Sequence, residues 1–265
     1  MNCTMVMLIM SCDGFSDLWD GHVKLLDRNW KDRGIKTVIV TDKPSDKKYD
    51  SVEVFAPFGV SEWSDRLKAA IDRYDAAYYF ITLDDYFVVN RVDNERINEI
   101  FETIKRENID YLRFFKHPLR SIGENLPGHD SLCFLKLDET YSVNLYSGIW
   151  KKEFISSCID KPLNAWEFEV ALTDIARDCN AVCAVDVQDD FEILDVVRKG
   201  KLIRKAAKYI KKNGLYTGDR ATNSVWFELK LGIKVFCRRH LPGFIRPFAR
   251  RTAIKLGMKS YSDRA

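Results

Sequence analysis

The stretch Tyr78-Tyr79-Phe80-Ile81-Thr82-Leu83-Asp84-Asp85-Tyr86 decides the fold. Its first six residues are almost wholly aromatic, aliphatic or β-branched, the composition of a strand buried on both faces. It then opens onto two carboxylates. The same event occurs twice upstream: Met5–Met10 ends in Ser11-Cys12-Asp13-Gly14, and Lys36–Val40 ends in Thr41-Asp42-Lys43-Pro44. Between these strands, apolar residues recur at helical spacing (Trp19, Val23, Leu26 and Trp30, then Trp63, Leu67, Ala70 and Ile71). Asp93 stands where an N-cap would precede a further helix with Ile97, Ile100, Phe101 and Ile104 on one face. Strands alternating with helices predict βαβ units on a mostly parallel sheet covered by helices on both sides.

Downstream the character changes. Tyr111–Phe115, Leu132–Leu137 and Ser142–Trp150 read as short strands, with Lys116–Asp130 as a polar loop. A helix over Ala165–Arg177 capped by Asn164 and a strand over Ala181–Val187 follow. The chain has 265 residues, 46% hydrophobic and 31% charged, which allows one or two domains. No apolar run approaches the ~18–20 residues that cross a bilayer. The N-terminus enters its first strand without a basic leader, so no signal peptide is expected. Seven scattered Cys fit a reduced, cytoplasmic protein.

Charge divides the chain near Val197. Residues 198–265 hold 19 Lys and Arg against three acids, a net of +16, and residues 1–197 hold 23 bases against 36 acids, a net of −13. The expected organisation is a catalytic domain over 1–197 and a basic helical extension over 198–265. Leu202, Ala206, Tyr209 and Ile210 lie on one helical face, and Trp226, Leu229, Ile233 and Phe236 on another. Basic amphipathic helices of this kind suit an anionic membrane surface; the plainer reading is a solvated helix whose apolar side packs on the body. Nucleic acid is not an expected partner, because the body is acidic and no DNA- or RNA-binding module is recognisable.

Ligands of open α/β sheets bind at the carboxyl ends of the strands. Asp84 and Asp85 repel each other unless a positive group intervenes, and a divalent ion bridging to a diphosphate would supply one; the alternative is a solvated acidic turn. In Trp166-Glu167-Phe168-Glu169, Glu167 beside two aromatics could sit in a poorly solvated wall and act as general base, or it could simply favour the first turn of a helix. Arg66 could reach a phosphate. The four His show no metal spacing, and no Gly-x-Ser-x-Gly, Gly-x-Gly-x-x-Gly or Walker loop is present, which sets aside Rossmann dehydrogenases and P-loop NTPases.

The order of the pieces Ser-Cys-Asp at 11–13, Thr-Asp at 41–42, Trp-Ser-Asp-Arg-Leu at 63–67, Leu-Asp-Asp-Tyr-Phe at 83–87, Tyr-Ser-Gly-Ile-Trp at 146–150 and Asn-Ala-Trp-Glu-Phe-Glu at 164–169 resembles the bacterial GT-A-type glycosyltransferases of capsule and O-antigen clusters. The resemblance covers roughly residues 3–202. It implies that Asp84-Asp85 stands where such enzymes keep a DxD motif holding Mn²⁺ or Mg²⁺, with Asp85 the preferred ligand. It places Asp13 and Asp42 near the donor's base and ribose, Arg66 near its phosphates, and Tyr146, Trp150 and Trp166 on the acceptor side. Glu167 would be the base of an inverting reaction, and Arg198 and Lys201 would close over the diphosphate. The implied partners are a UDP- or GDP-linked sugar and a glycan acceptor carried on a polyprenyl diphosphate, at the inner face of the cell membrane. The competing expectations are a metal-dependent phosphohydrolase or nucleotidyltransferase using Asp84/Asp85, and a non-catalytic membrane-surface binding protein.

Overall fold

The computed structural model describes residues 4–240, with side chains to residue 233. In chain order the elements are β1 (Met5–Met10), α1 (Trp19–Asn29), β2 (Lys36–Val40), β3 (Glu53–Phe55), α2 (Trp63–Arg73), β4 (Tyr78–Leu83), β5 (Tyr86–Val88), α3 (Asn94–Arg106), β6 (Tyr111–Arg113), β7 (Ile122–Asn125), β8 (Leu132–Leu135), β9 (Gly148–Lys151), α4 (Lys152–Cys158), α5 (Ala165–Asp178), β10 (Cys183–Asp186), β11 (Ile193–Asp195), β12 (Val197–Arg198), β13 (Lys201–Leu202), α6 (Arg204–Lys212) and α7 (Val225–His240). A nine-stranded sheet has the order β3-β2-β1-β4-β9-β6-β10-β8-β7. Only β9 and β8 run against the other seven, so the sheet is mostly parallel. The alternation of β1 explains why it reads as continuously apolar: Val6, Leu8 and Met10 face α2, α4 and α5, while Met7 and Ile9 face α1 and α3. Asp93 caps α3 through bonds from the amides of Glu95 and Arg96.

The segment read as a polar loop, 116–130, contains β7, an edge strand that pairs with β8. Its Ile122-Gly123-Glu124-Asn125 carries no apolar alternation, and only the neighbouring strand reveals it. β9 enters antiparallel between β4 and β6. Gly148 makes this entry possible, because a Cβ there would lie 2.6 Å from the Leu112 carbonyl oxygen.

The chain forms two compact units. One holds residues 4–196 and 208–219 and the other, among the described residues, 197–207 and 220–240. In the first, the 208–219 segment lies along α1, with Arg28 Nη2 donating to Tyr209 Oη at 3.0 Å and Nη1 to Asn213 Oδ1 at 3.1 Å. In the second, β12 and β13 pair as a hairpin turning at Lys199 and Gly200, both at positive φ. α6 runs across the division at 207/208; its Ala206 and Ile210 are buried and Arg204, Lys205, Lys208, Lys211 and Lys212 are exposed, so the apolar face expected to meet a membrane is buried. Phe236 lies outside the described side chains.

Asp186, fully buried at the end of β10, accepts from the amides of Gln188 at 3.1 Å and Asp190 at 2.9 Å. Burial nevertheless pushes its carboxyl up to about 6 against the pull of those amides. A carboxyl raised in the folded state favours folding while protonated, and that contribution is lost as pH rises from the ordinary carboxylate range through about 6. The loss is on the order of 2–3 kcal/mol. Urea unfolding is expected to show wild type weakening relative to Asp186→Asn between pH 4 and pH 7; parallel pH profiles for the two proteins would refute this.

Candidate functional site

Because β2, β1 and β4 are adjacent and parallel, their carboxyl ends deliver Thr41–Asp42, Ser11–Asp13 and Asp84–Asp85 to one edge. Backbone bonds continue past the strand ends: Ser11 N to Val40 O at 2.8 Å, Thr41 N to Phe55 O at 2.9 Å, and Asp84 N to Met10 O at 3.2 Å. Asp13 N donates to Asp42 Oδ1 at 2.6 Å, and Lys43 Nζ meets Asp13 Oδ2 at 3.0 Å. Burial works to raise the Asp42 carboxyl, but the Asp13 amide, its own amide and the Arg66 charge hold it below its usual range.

Arg66, buried on α2, donates from Nη2 to Ser11 O at 3.2 Å and from Nη1 to Ser61 O. Its Nε finds no acceptor among the described residues. The fold thus brings Asp13, Asp42, Arg66 and Asp84–Asp85 to one end of the sheet.

The two members of the acidic pair differ. Asp84 is buried; its Oδ2 accepts from Ser11 Oγ, which in turn accepts from Trp19 Nε1 at 2.7 Å. The Asp84 carbonyl accepts from His22 Nδ1 at 3.0 Å, which fixes that ring's tautomer. Burial drives His22 down to about 4, so it is neutral. Asp85 is half-buried, and its carbonyl accepts from Val196 N at 2.9 Å. Cys12 lies among the same groups, its thiol pushed up by burial and by the Asp84 and Asp42 charges. It stays protonated at neutral pH. No three His, Cys, Asp or Glu side chains among the described residues gather closely enough to hold a metal ion.

Beyond Asp85 the edge becomes aromatic. Tyr146 precedes β9 and Phe115 follows β6; their rings stack at 3.9 Å and 15°. Tyr86 lies 4.9 Å from Tyr146 on the other side, and His117 lies 5.3 Å from Phe115. All four are half-buried. Thr82 Oγ1 and Ser147 Oγ, 2.7 Å apart, tie the acidic turn to this row. The Tyr86 phenol is raised well above its ordinary value by burial and then by Asp85, Asp195 and Glu169.

One expected residue falls elsewhere. Trp150 is fully buried in the core, 4.2 Å from Tyr111 and stacked on Phe154, so it cannot line an acceptor surface. Trp166 is 65% exposed in the first turn of α5. Glu167 is exposed and closes a capping box, its Oε2 accepting from Asn164 N at 3.2 Å while Asn164 Oδ1 accepts from Glu167 N. The poorly solvated carboxylate is Glu169. It is half-buried, accepts from Leu145 N at 3.3 Å, and is raised by burial against that bond. The spelling Asn164-x-x-Glu167 is the sequence signal that could have told the two apart. Arg198 and Lys201 lie on the hairpin of the second unit.

No protein family and no curated protein matches the sequence. Among solved structures, S. aureus TarS 1–349 in complex with UDP-GlcNAc matches with a TM-score of 0.51 and 13% identity over 75% of this chain and 60% of that one. The fold is GT-A-like. At that identity the likeness is one of fold. A second structure of S. aureus TarS gives a TM-score of 0.47 at 11% identity over 69% of this chain and 35% of that one. The bifunctional IspDF from Campylobacter jejuni gives 0.43 at 11% over 72% and 52%; neither value carries an argument. The chain thus spans between 35% and 60% of the length of these structures.

Proposed function

We propose that the chain is a glycosyltransferase moving a sugar from a nucleotide-diphosphate donor to a glycan acceptor. The observation that carries this is the division of one sheet edge. Asp13, Asp42, Arg66 and Asp84 stand on one side of Asp85, and the aromatic row with Glu169 on the other. The first half suits ribose hydroxyls and phosphate, the second the apolar face and hydroxyls of a sugar. That a TarS fragment of this fold holds UDP-GlcNAc favours a UDP-linked donor, and an acceptor carried on a polyprenyl diphosphate in capsule or O-antigen synthesis remains the finer form of the proposal.

In the reaction the bond from sugar C1 to phosphate oxygen breaks as the acceptor oxygen bonds to C1. The acceptor proton passes to Glu169, and the nucleoside diphosphate departs with the bonding electrons. Arg66 is assigned to its developing charge. Tyr146, Phe115 and Tyr86 orient the acceptor ring. Asp84 and Asp85 offer hard oxygen donors suited to Mn²⁺ or Mg²⁺ in an open site that a diphosphate would complete; such an ion would add Lewis-acid stabilisation of the leaving group.

Incubation with a panel of UDP-, GDP- and dTDP-sugars, with and without Mn²⁺, tests the reading. Nucleoside diphosphate release that needs an added glycan acceptor supports it. Equal release without acceptor points to a phosphohydrolase, and no release or binding with any donor overturns it.

A further inference from the structure

α7 turns an apolar stripe to solvent. Val225, Trp226, Leu229 and Ile233 are 61%, 71%, 50% and 52% exposed. At 3.6 residues per turn they fall within one arc of about 100°. The packed side of the helix is the other one. Phe227, Glu228 and Leu231 are half-buried, Glu228 accepts from Arg204 N at 2.7 Å, and Lys199 Nζ sits 5.6 Å from the centre of the Phe227 ring. The stripe is therefore not what holds the helix to its own unit. Exposed apolar residues on a soluble protein are normally scattered singly; a contiguous set marks a contact surface.

The surrounding charge selects the partner. Among the described side chains the second unit, 197–207 with 220–233, holds seven Lys and Arg against Glu228 alone. Two copies meeting stripe to stripe would bring two such cation-rich segments together. A nucleic acid would meet the cations and leave Trp226 and Leu229 in water. An anionic lipid surface takes both, with cations over the headgroups and the stripe at the boundary with the acyl chains. No helix of the described residues is long and apolar enough to cross a membrane. We infer that α7 docks on an anionic bilayer surface through Val225, Trp226, Leu229 and Ile233. This holds whether or not the sheet edge transfers sugar.

Co-sedimentation with vesicles of phosphatidylcholine mixed with phosphatidylglycerol, against phosphatidylcholine alone, tests it. The anionic vesicles are expected to bind about tenfold tighter or more, less so at high salt. Joint substitution Trp226→Ser, Leu229→Ser and Ile233→Ser should remove at least about tenfold of that binding. These positions are exposed, so the thermal midpoint without lipid should not move. As a second measurement, anionic vesicles should shift Trp fluorescence to the blue in wild type and not in Trp226→Phe. Vesicle binding indifferent to the substitutions overturns the inference. So does retention on nucleic acid but not vesicles, or a lipid-free dimer that the substitutions abolish.

Discussion

Replacing Glu169 by Gln is expected to lower the rate of sugar transfer by about 10²- to 10⁴-fold, the contribution of a positioned general base. Donor affinity should be unchanged. Glu169 suits the role for reasons that can be checked separately. It is half-buried and accepts from the amide of Leu145, next to Tyr146, and burial raises its carboxyl above the ordinary glutamate range, which brings its basicity closer to working pH. A base acts only when deprotonated. The wild-type rate should therefore fall as pH drops through this raised value, on a limb above the usual ~4.3 of a glutamate, and the limb should vanish in Glu169→Gln. Glu167→Gln is the control. Gln retains an oxygen that can accept from Asn164 N, so α5 keeps its cap and the rate its wild-type value. Should Glu167→Gln be slow and Glu169→Gln fast, the assignment of the base would be reversed.

The contrast between these two glutamates shows where sequence reasoning stops. Both flank Phe168, and composition treats them alike. What separates them is that Leu145, 24 positions earlier, presents its amide to Glu169 and not to Glu167. The acidic edge proposed for the donor was legible because it is made by local events, strands that end in acid, and parallel neighbours bring such ends together without further information. The aromatic row was not. Phe115, Tyr146 and Tyr86 come from the end of β6, the start of β9 and the start of β5, and they meet only because β9 inserts antiparallel between β4 and β6. Trp150 misled for the related reason that an aromatic in a motif carries no sign of which sheet face it takes. Arg113 was equally opaque. Its Tyr-Leu-Arg setting reads as an ordinary strand, yet the guanidinium is fully buried and donates to Ser142 O at 2.7 Å and Ser121 Oγ at 3.1 Å, pinning loops remote in sequence.

Asp85→Ala and Asp84→Ala should both suppress donor binding, but for different reasons that thermal unfolding separates. A nucleoside diphosphate at 100 times its Kd stabilises the protein that binds it by about 2.7 kcal/mol, a rise in Tm of roughly 5–10 °C for a domain of this size. If Asp85 holds a cation against the diphosphate, Asp85→Ala should keep its ligand-free Tm and lose the Mn²⁺-dependent part of that rise. Asp84 is different because it is buried and its carboxylate Oδ2 accepts from the Ser11 hydroxyl. Ser11 Oγ in turn accepts from the Trp19 indole N–H, and all three residues are buried. Removing the Asp84 side chain takes the carboxylate acceptor from Ser11 Oγ, which keeps only the 3.3 Å bond to the Cys12 carbonyl, a loss of about 1–3 kcal/mol visible before any ligand is added. Asp84→Asn keeps an acceptor for Ser11 and should recover most of that stability without restoring full metal-dependent binding. Normal Mn²⁺-dependent binding by Asp85→Ala would remove the carboxylate pair from the donor site. An unchanged ligand-free Tm in Asp84→Ala would show that the Trp19–Ser11–Asp84 chain does not support the turn.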